Sequence, residues 1–147
     1  MGAYSVSRRA MASLFTKIIN REIPAHFVYK DELCVVILDK FPTVKGQTLV
    51  IPKKNEDYVF ELEDESYTHI MRIAKKIARA SDHAFGTSRT CMVIEGFEVP
   101  HVHLKLYPMM KGDTDLASKL MGGAESDDET LAIIATQLQG AIEEVDE

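Results

Sequence analysis

The stretch Pro100-His101-Val102-His103-Leu104-Lys105-Leu106-Tyr107 alternates apolar residues with polar or ring-bearing ones without a break. A period of two belongs to a β-strand. Val102, Leu104 and Leu106 are therefore expected to face a core while His101, His103, Lys105 and Tyr107 line the other face, about 7 Å between successive side chains. His101, His103 and Lys105 are cationic or potentially cationic, and in one row they repel unless a ring stays neutral or an anion sits among them. A phosphate-sized ligand is the natural complement, and imidazole is a competent nucleophile toward phosphorus. Two other readings stand beside this one. The row is a solvated strand face that happens to carry two histidines, or it supplies two metal ligands, for which His26, His69 and His83 offer no third partner at a fixed spacing.

Before this strand lies a mixed pattern of helix and sheet. Leu14, Phe15, Ile18 and Ile19 recur at helical spacing after Ser13, a suitable N-cap, and Pro24 closes the segment, so a short helix is expected over residues 13–20. Phe27 to Tyr29, Leu33 to Asp39 and Gln47 to Pro52 read as strands, the last two joined by a loop that Pro42 and Gly46 punctuate. From Asp64 to Phe85 the set Tyr67, Ile70, Ile73, Ala74, Ile77, Ala80 and Ala84 follows the helical rule, and Gly86 stands where a left-handed cap belongs. Thr90 to Ile94 adds a strand, and Glu95-Gly96-Phe97-Glu98 turns the chain toward His101. Residues 109–125 read as a linker, and Ser126 with Glu129 forms a capping box for a last, acidic helix over residues 126–147.

The 147-residue chain has 46% hydrophobic residues and the size of one compact domain, expected over residues 13–108. Its longest apolar run, Cys34 to Leu38, is far below the roughly 20 residues that span a bilayer, so no membrane association is expected. The net charge of -6 is uneven, because residues 125–147 hold eight carboxylates and no Lys or Arg. The remaining 15 carboxylates face 17 basic side chains, and no basic stripe of the kind that binds duplex nucleic acid tightly is present. Two cysteines in apolar runs, without CxxC, fit a cytoplasmic, reducing location. Residues 1–12 read as a disordered leader or a tag remnant, with an Arg- and Ser-containing mitochondrial presequence as the other reading.

The strand at His101 resembles the signature of the histidine triad nucleotide-binding and hydrolase proteins. So do Leu14-Phe15-Thr16-Lys17-Ile18-Ile19, Glu22-Ile23-Pro24-Ala25, Leu38-Asp39-Lys40-Phe41-Pro42 and Gly46-Gln47-Thr48-Leu49-Val50-Ile51-Pro52-Lys53-Lys54, in the family's order. The resemblance implies an α+β fold, with a central antiparallel sheet of about five strands and a long central helix, commonly paired as a homodimer. It implies a purine nucleotide held by Leu14, Phe15, Ile18, Ile37 and Leu38, with Asp39 on the ribose hydroxyls. His103 is the implied nucleophile toward the α-phosphorus and His101 its orienting partner. The family's third histidine is Lys105 here, and a further one is Gln47. The phosphate loop shortens to Gly96-Phe97-Glu98-Val99-Pro100, which brings Val99 and Pro100 to the nucleotide, and Ile94 takes the place of an Asn. The zinc-binding cysteines of some members correspond to Ser13 and Thr16, so no metal or other cofactor is expected.

Three functions follow as expectations. The chain is a nucleotide phosphohydrolase or nucleotidyl transferase working through a covalent nucleotidyl-histidine. Alternatively it is a catalytically weakened nucleotide binder, because Lys105 is a reluctant proton shuttle. In a third reading it is a dimeric interaction protein whose acidic last helix recruits a basic partner.

Overall fold

A computed structural model describes residues 13–145; the leader expected over residues 1–12 lies outside them. In chain order the elements are α1 (Leu14–Ile19), β1 (Phe27–Lys30), β2 (Cys34–Leu38), β3 (Thr48–Pro52), α2 (Asp64–Phe85), β4 (Arg89–Val93), β5 (Leu104–Met109) and α3 (Asp128–Val145), with 3-10 turns at Val59–Glu61 and Ala117–Lys119. The five strands form one antiparallel sheet in the order β1-β2-β3-β5-β4. The fold class expected from the sequence is the one observed.

Alternation along the strands separates two apolar layers. Cys34, Val36, Leu38, Val50, Leu104 and Leu106 pack with Ile70, Ile73, Ile77 and Ala80 of α2 and with Leu131 and Leu138 of α3. Val35, Ile37, Leu49 and Ile51 turn the other way, onto Phe15 and Ile18 of α1. All five residues of β2 are buried, and for that reason its sequence is an unbroken apolar run rather than an alternating one. Helix α2 ends at Gly86 in the left-handed conformation, φ 65°.

Three expectations need correction. Strand β5 starts at Leu104, so His101 and His103 precede it in an irregular segment that Val102 N–H anchors to the Glu56 carbonyl at 2.7 Å. The face carrying His101, His103 and Tyr107 is not solvated, since all three are buried. Finally, α3 begins at Asp128 and is capped by Asp127, whose carboxylate accepts from Thr130 N–H at 2.7 Å, while the Ser126 backbone N–H donates to the Lys40 carbonyl.

That last bond belongs to a larger rearrangement of the expected linker. Residues 116–126 fold back over the loop after β2 as a strap. Gly123 N–H donates to the Phe41 carbonyl, and Thr43 Oγ1 donates to the Lys119 carbonyl at 2.7 Å. A Cβ at Gly123 would stand 2.0 Å from the Pro42 carbonyl oxygen, so only glycine permits this approach. Helix α3 is then fastened to the body by Gln139 to the Phe27 carbonyl, Gln137 to the Ala84 carbonyl, and the side-chain contacts His26–Asp128 and His83–Glu144.

Candidate active site

The two histidines are oriented by groups that cannot exchange roles. His101 Nε2 lies 2.7 Å from the Pro52 carbonyl, which only accepts, so Nε2 carries the proton. Nδ1 of the neutral ring then accepts from the Ser13 hydroxyl at 2.7 Å. Ser13 Oγ itself accepts from Thr16 N–H at 3.0 Å, and the same hydroxyl thus caps α1 and fixes His101. His103 Nδ1 donates to the His101 carbonyl at 2.7 Å, which leaves Nε2 as the ring's lone-pair nitrogen. The Phe15 ring meets His103 edge-on at 4.8 Å and His101 at 6.0 Å between centroids. Burial lowers the pKa of both rings below that of an ordinary imidazole, and for His103 the charge of Lys105 pushes in the same direction. Neutral at pH 7, with Nε2 unprotonated, His103 has the form a nucleophile needs.

Ser13 and Thr16 do not fit a zinc ion. Their hydroxyls face His101 Nδ1, at 2.7 and 3.4 Å, and supply no thiolate. Both nitrogens of His101 are engaged.

Beside the histidines, β5 places Lys105 opposite Leu49 of β3 and Val93 of β4. Lys105 lines a cleft of about 320 Å³ with Asp39, Gln47, Glu98, Tyr107 and, from the strap, Lys119 and Leu120. Gln47 is buried and does not point outward: its Oε1 accepts from Thr43 N–H at 2.8 Å, and its Nε2 donates to Asp39 Oδ2 at 2.8 Å. Asp39 Oδ1 accepts from Phe41 N–H at 2.8 Å. The carboxylate is fixed in place, and each oxygen keeps a further lone pair for a ligand hydroxyl.

His103 opens on a second cleft of about 340 Å³, shared with Glu95, Asp57, Tyr58, Phe60 and Ile94. Lys105 Nζ, from the lining of the first cleft, and Glu95 Oε1, from that of the second, form an ion pair 3.5 Å apart.

The residues expected to hold a purine are divided. Phe15, Ile18 and Ile37 share one cluster, against which Val99 packs, and Pro100 is half-buried beside His101. Leu14 is exposed. Leu38 lies in the layer under α2, on the opposite side of the sheet from Ile37, because consecutive strand residues face opposite ways. Glu95, Glu98 and Lys119 were not foreseen. In the sequence Glu95 reads only as a turn residue, Glu98 as part of the turn and the shortened phosphate loop, and Lys119 only as linker.

One further cluster of ligand-type side chains lies elsewhere. Asp31, Cys34 and His69 approach one another across the β1–β2 turn and α2. Asp31 accepts from Leu33 and Cys34 N–H, from the Tyr29 hydroxyl and from His69 Nε2. Although burial opposes it, these bonds hold the carboxyl well below its usual range, while burial and the Asp31 charge push the Cys34 thiol up to about 12. This is a hydrogen-bonded brace for a turn.

Comparison with known proteins agrees with this geometry. The family model "HIT domain" matches residues 20–111. A HIT-like protein of Borreliella burgdorferi is 33% identical over 107 residues, 68% of this chain and 77% of its own. Adenosine 5'-monophosphoramidase of Saccharomyces cerevisiae is 35% identical over 98 residues, covering 66% of this chain and 62% of the yeast protein. A crystal structure of a hypothetical histidine triad nucleotide-binding protein from Sulfolobus tokodaii superposes with a TM-score of 0.79 at 28% identity, over 89% of this chain and 92% of that one. With the family model matching most of the chain, the chain belongs to the histidine triad (HIT) family.

Proposed function

We propose that the chain cleaves purine nucleoside 5'-phosphoramidates through a covalent nucleotidyl-histidine. The observation that carries this reading is the bond from His103 Nδ1–H to the His101 carbonyl, which leaves Nε2 unprotonated beside a cleft. The yeast relative's name, adenosine 5'-monophosphoramidase, supports the leaving-group class. In the first step the Nε2 lone pair forms a bond to the α-phosphorus, and the bond to the amine breaks. The amine departs with that electron pair and takes up a proton from water. Water then adds to phosphorus, the P–N bond to His103 breaks, and nucleoside monophosphate leaves. Lys105 offers its ammonium to the equatorial oxygens, and the Asp39 carboxylate receives the ribose hydroxyls.

The experiment is steady-state turnover of adenosine and guanosine phosphoramidates and of dinucleoside polyphosphates, with product analysis by chromatography. Wild type turns over the amidates and His103→Ala does not. Equal hydrolysis by the variant overturns the assignment.

Lys105 favours a second reading, a nucleotide binder with slow turnover, since an ammonium gives up and regains protons reluctantly near neutral pH. Nucleotide affinity without turnover in the same assay selects it.

The functional unit is a homodimer in a cytoplasmic setting. Among the described residues strand β4 is a sheet edge paired with β5 alone, and Met92 and Ile94 at that edge are exposed. Sedimentation at micromolar concentration is expected to give twice the 16.5 kDa chain mass; a monomer alone contradicts it.

A further inference from the structure

We infer that Tyr107 is a further substrate-binding residue: its hydroxyl donates to a ribose hydroxyl of the nucleotide, so that the sugar is held between this phenol and the Asp39 carboxylate. The inference rests on the placing of the ribose at Asp39 in the proposed function and adds a donor to it.

Tyr107 is the last member of the row that His101, His103 and Lys105 begin. It is 2% exposed and lines the cleft of about 320 Å³ together with Asp39 and Gln47. Its hydroxyl makes no hydrogen bond among the described residues, yet it is not sealed from solvent as the partnerless oxygens of Thr48, Ser81 and Glu95 are. The little accessible surface of the side chain therefore includes the oxygen, and the space that the side chain borders is the cleft. A donor so placed, almost buried and unpaired, favours a ligand that brings an acceptor.

Sheet register identifies the part of the ligand that meets it. Thr48 pairs with Leu38 on one side and with Leu106 on the other, so one position further along Asp39, Gln47 and Tyr107 form a row across the sheet. Lys105 pairs with Leu49 and stands two residues nearer to His103. Two strand spacings, about 10 Å, separate the backbones of Asp39 and Tyr107, which leaves room for a sugar between the two side chains. The carboxylate only accepts, and the phenol can donate. A ribose hydroxyl gives its hydrogen to the first and takes one from the second, whereas a phosphoryl oxygen can only accept. Burial, and after it the charges of Asp39, Glu95 and Glu98, push the Tyr107 pKa up, so the phenol keeps its proton at neutral pH. Those negative charges also disfavour a phosphoryl oxygen beside the phenol. The two ammonium groups of the cleft already have carboxylate neighbours, Glu95 at 3.5 Å for Lys105 and Asp113 at 4.0 Å for Lys119.

The test is calorimetric binding of adenosine monophosphate and of 2',3'-dideoxyadenosine monophosphate to the full chain, as wild type, Tyr107→Phe, Tyr107→Met and Asp39→Asn. Tyr107→Phe is expected to weaken adenosine monophosphate about fivefold, the size of one neutral hydrogen bond, and to leave the dideoxy ligand within about twofold of wild type. Tyr107→Met also lacks the hydroxyl and takes the place of Tyr107→Phe if that variant does not fold. An equal loss with both ligands puts the phenol elsewhere on the nucleotide, and no loss with either removes it from the site; both results overturn the proposal. Asp39→Asn separates this failure from that of the ribose reading. A ribose preference that falls in Asp39→Asn but persists in the Tyr107 variants removes Tyr107 alone. A wild type that binds both ligands equally, or neither, removes the ribose from Asp39 and overturns the role of Tyr107 with it.

Discussion

Ser13 Oγ lies 2.7 Å from His101 Nδ1, although 88 residues separate the two in the chain. The hydroxyl that caps the start of the first helix also donates to the ring nitrogen that the Pro52 carbonyl leaves unprotonated, and His101 in turn offers its carbonyl to His103. Substituting Ser13→Ala removes an N-cap, at about 1 kcal/mol, and leaves a buried ring nitrogen short of a donor, at about 1 to 3 kcal/mol. A loss of about 2 to 4 kcal/mol in urea unfolding is expected, with a fall in kcat larger than any rise in KM. A variant as stable as wild type would show that the Thr16 hydroxyl, 3.4 Å from the same nitrogen, takes over.

Asp39 is held by Gln47 and Phe41 in a form able to receive two ribose hydroxyls. Adenosine monophosphate is therefore expected to bind more tightly than its 2'-deoxy analogue by about 1 to 3 kcal/mol, the range for charged hydrogen bonds. Asp39→Asn narrows that gap. Gln47→Glu sets a second carboxylate against Asp39 and weakens both ligands together. Equal calorimetric affinities for ribose and deoxyribose ligands in wild type remove Asp39 from the site.

The lowered pKa values of His101 and His103 have a defined sign. Each ring binds protons less readily folded than unfolded, so its contribution to stability is full above the unfolded value of about 6.5 and is lost as pH falls from there. For catalysis the consequence is an acid limb of kcat/KM with its midpoint below about 6.5, because the free enzyme keeps Nε2 unprotonated to lower pH than an ordinary imidazole. Titration of labelled histidine by NMR checks this directly. A His103 midpoint above 6.5 contradicts the burial that the fold imposes on it.

Much of this architecture is legible along the chain wherever local periodicity and local packing agree. Helix α2 spans Asp64–Phe85, as its apolar spacing and Gly86 indicate, because the same stripe that forms the helix also packs on the sheet. The segment at His101 reads as strand and is not, since its partners are Ser13 and Glu56, remote in sequence and invisible to a period of two. The strap fails for a related reason. Its Gly, Asp and Ser content signals a loop, but only the carbonyls of Lys40 and Phe41 decide that the loop docks, and Asp127, not Ser126, caps α3. Glu95 carries no signal at all until Lys105 is brought beside it from the neighbouring strand.

The place of Lys105 makes the second chemical step the informative one. In the proposed mechanism His103 Nε2 attacks as a neutral ring, and the adduct would be a phosphoramidate, acid-labile and stable to base. Lys105 stands at the edge of the site, its ammonium shared with Glu95, and in that mechanism it would hold phosphoryl oxygens while offering little as a proton shuttle. Formation of the adduct should therefore outpace its hydrolysis, so that intact mass after a rapid, acid-free quench shows a nucleotidyl group on His103. Lys105→His restores a group that titrates near neutrality and should shorten the adduct's lifetime several-fold while weakening nucleotide affinity. His103→Ala should abolish the adduct and keep binding within about 1 kcal/mol, because the ring acts mainly as reactant. An adduct that forms equally in His103→Ala would place the nucleophile on another side chain. A Lys105→His variant whose adduct persists as long as that of wild type would show that proton transfer does not limit the second step.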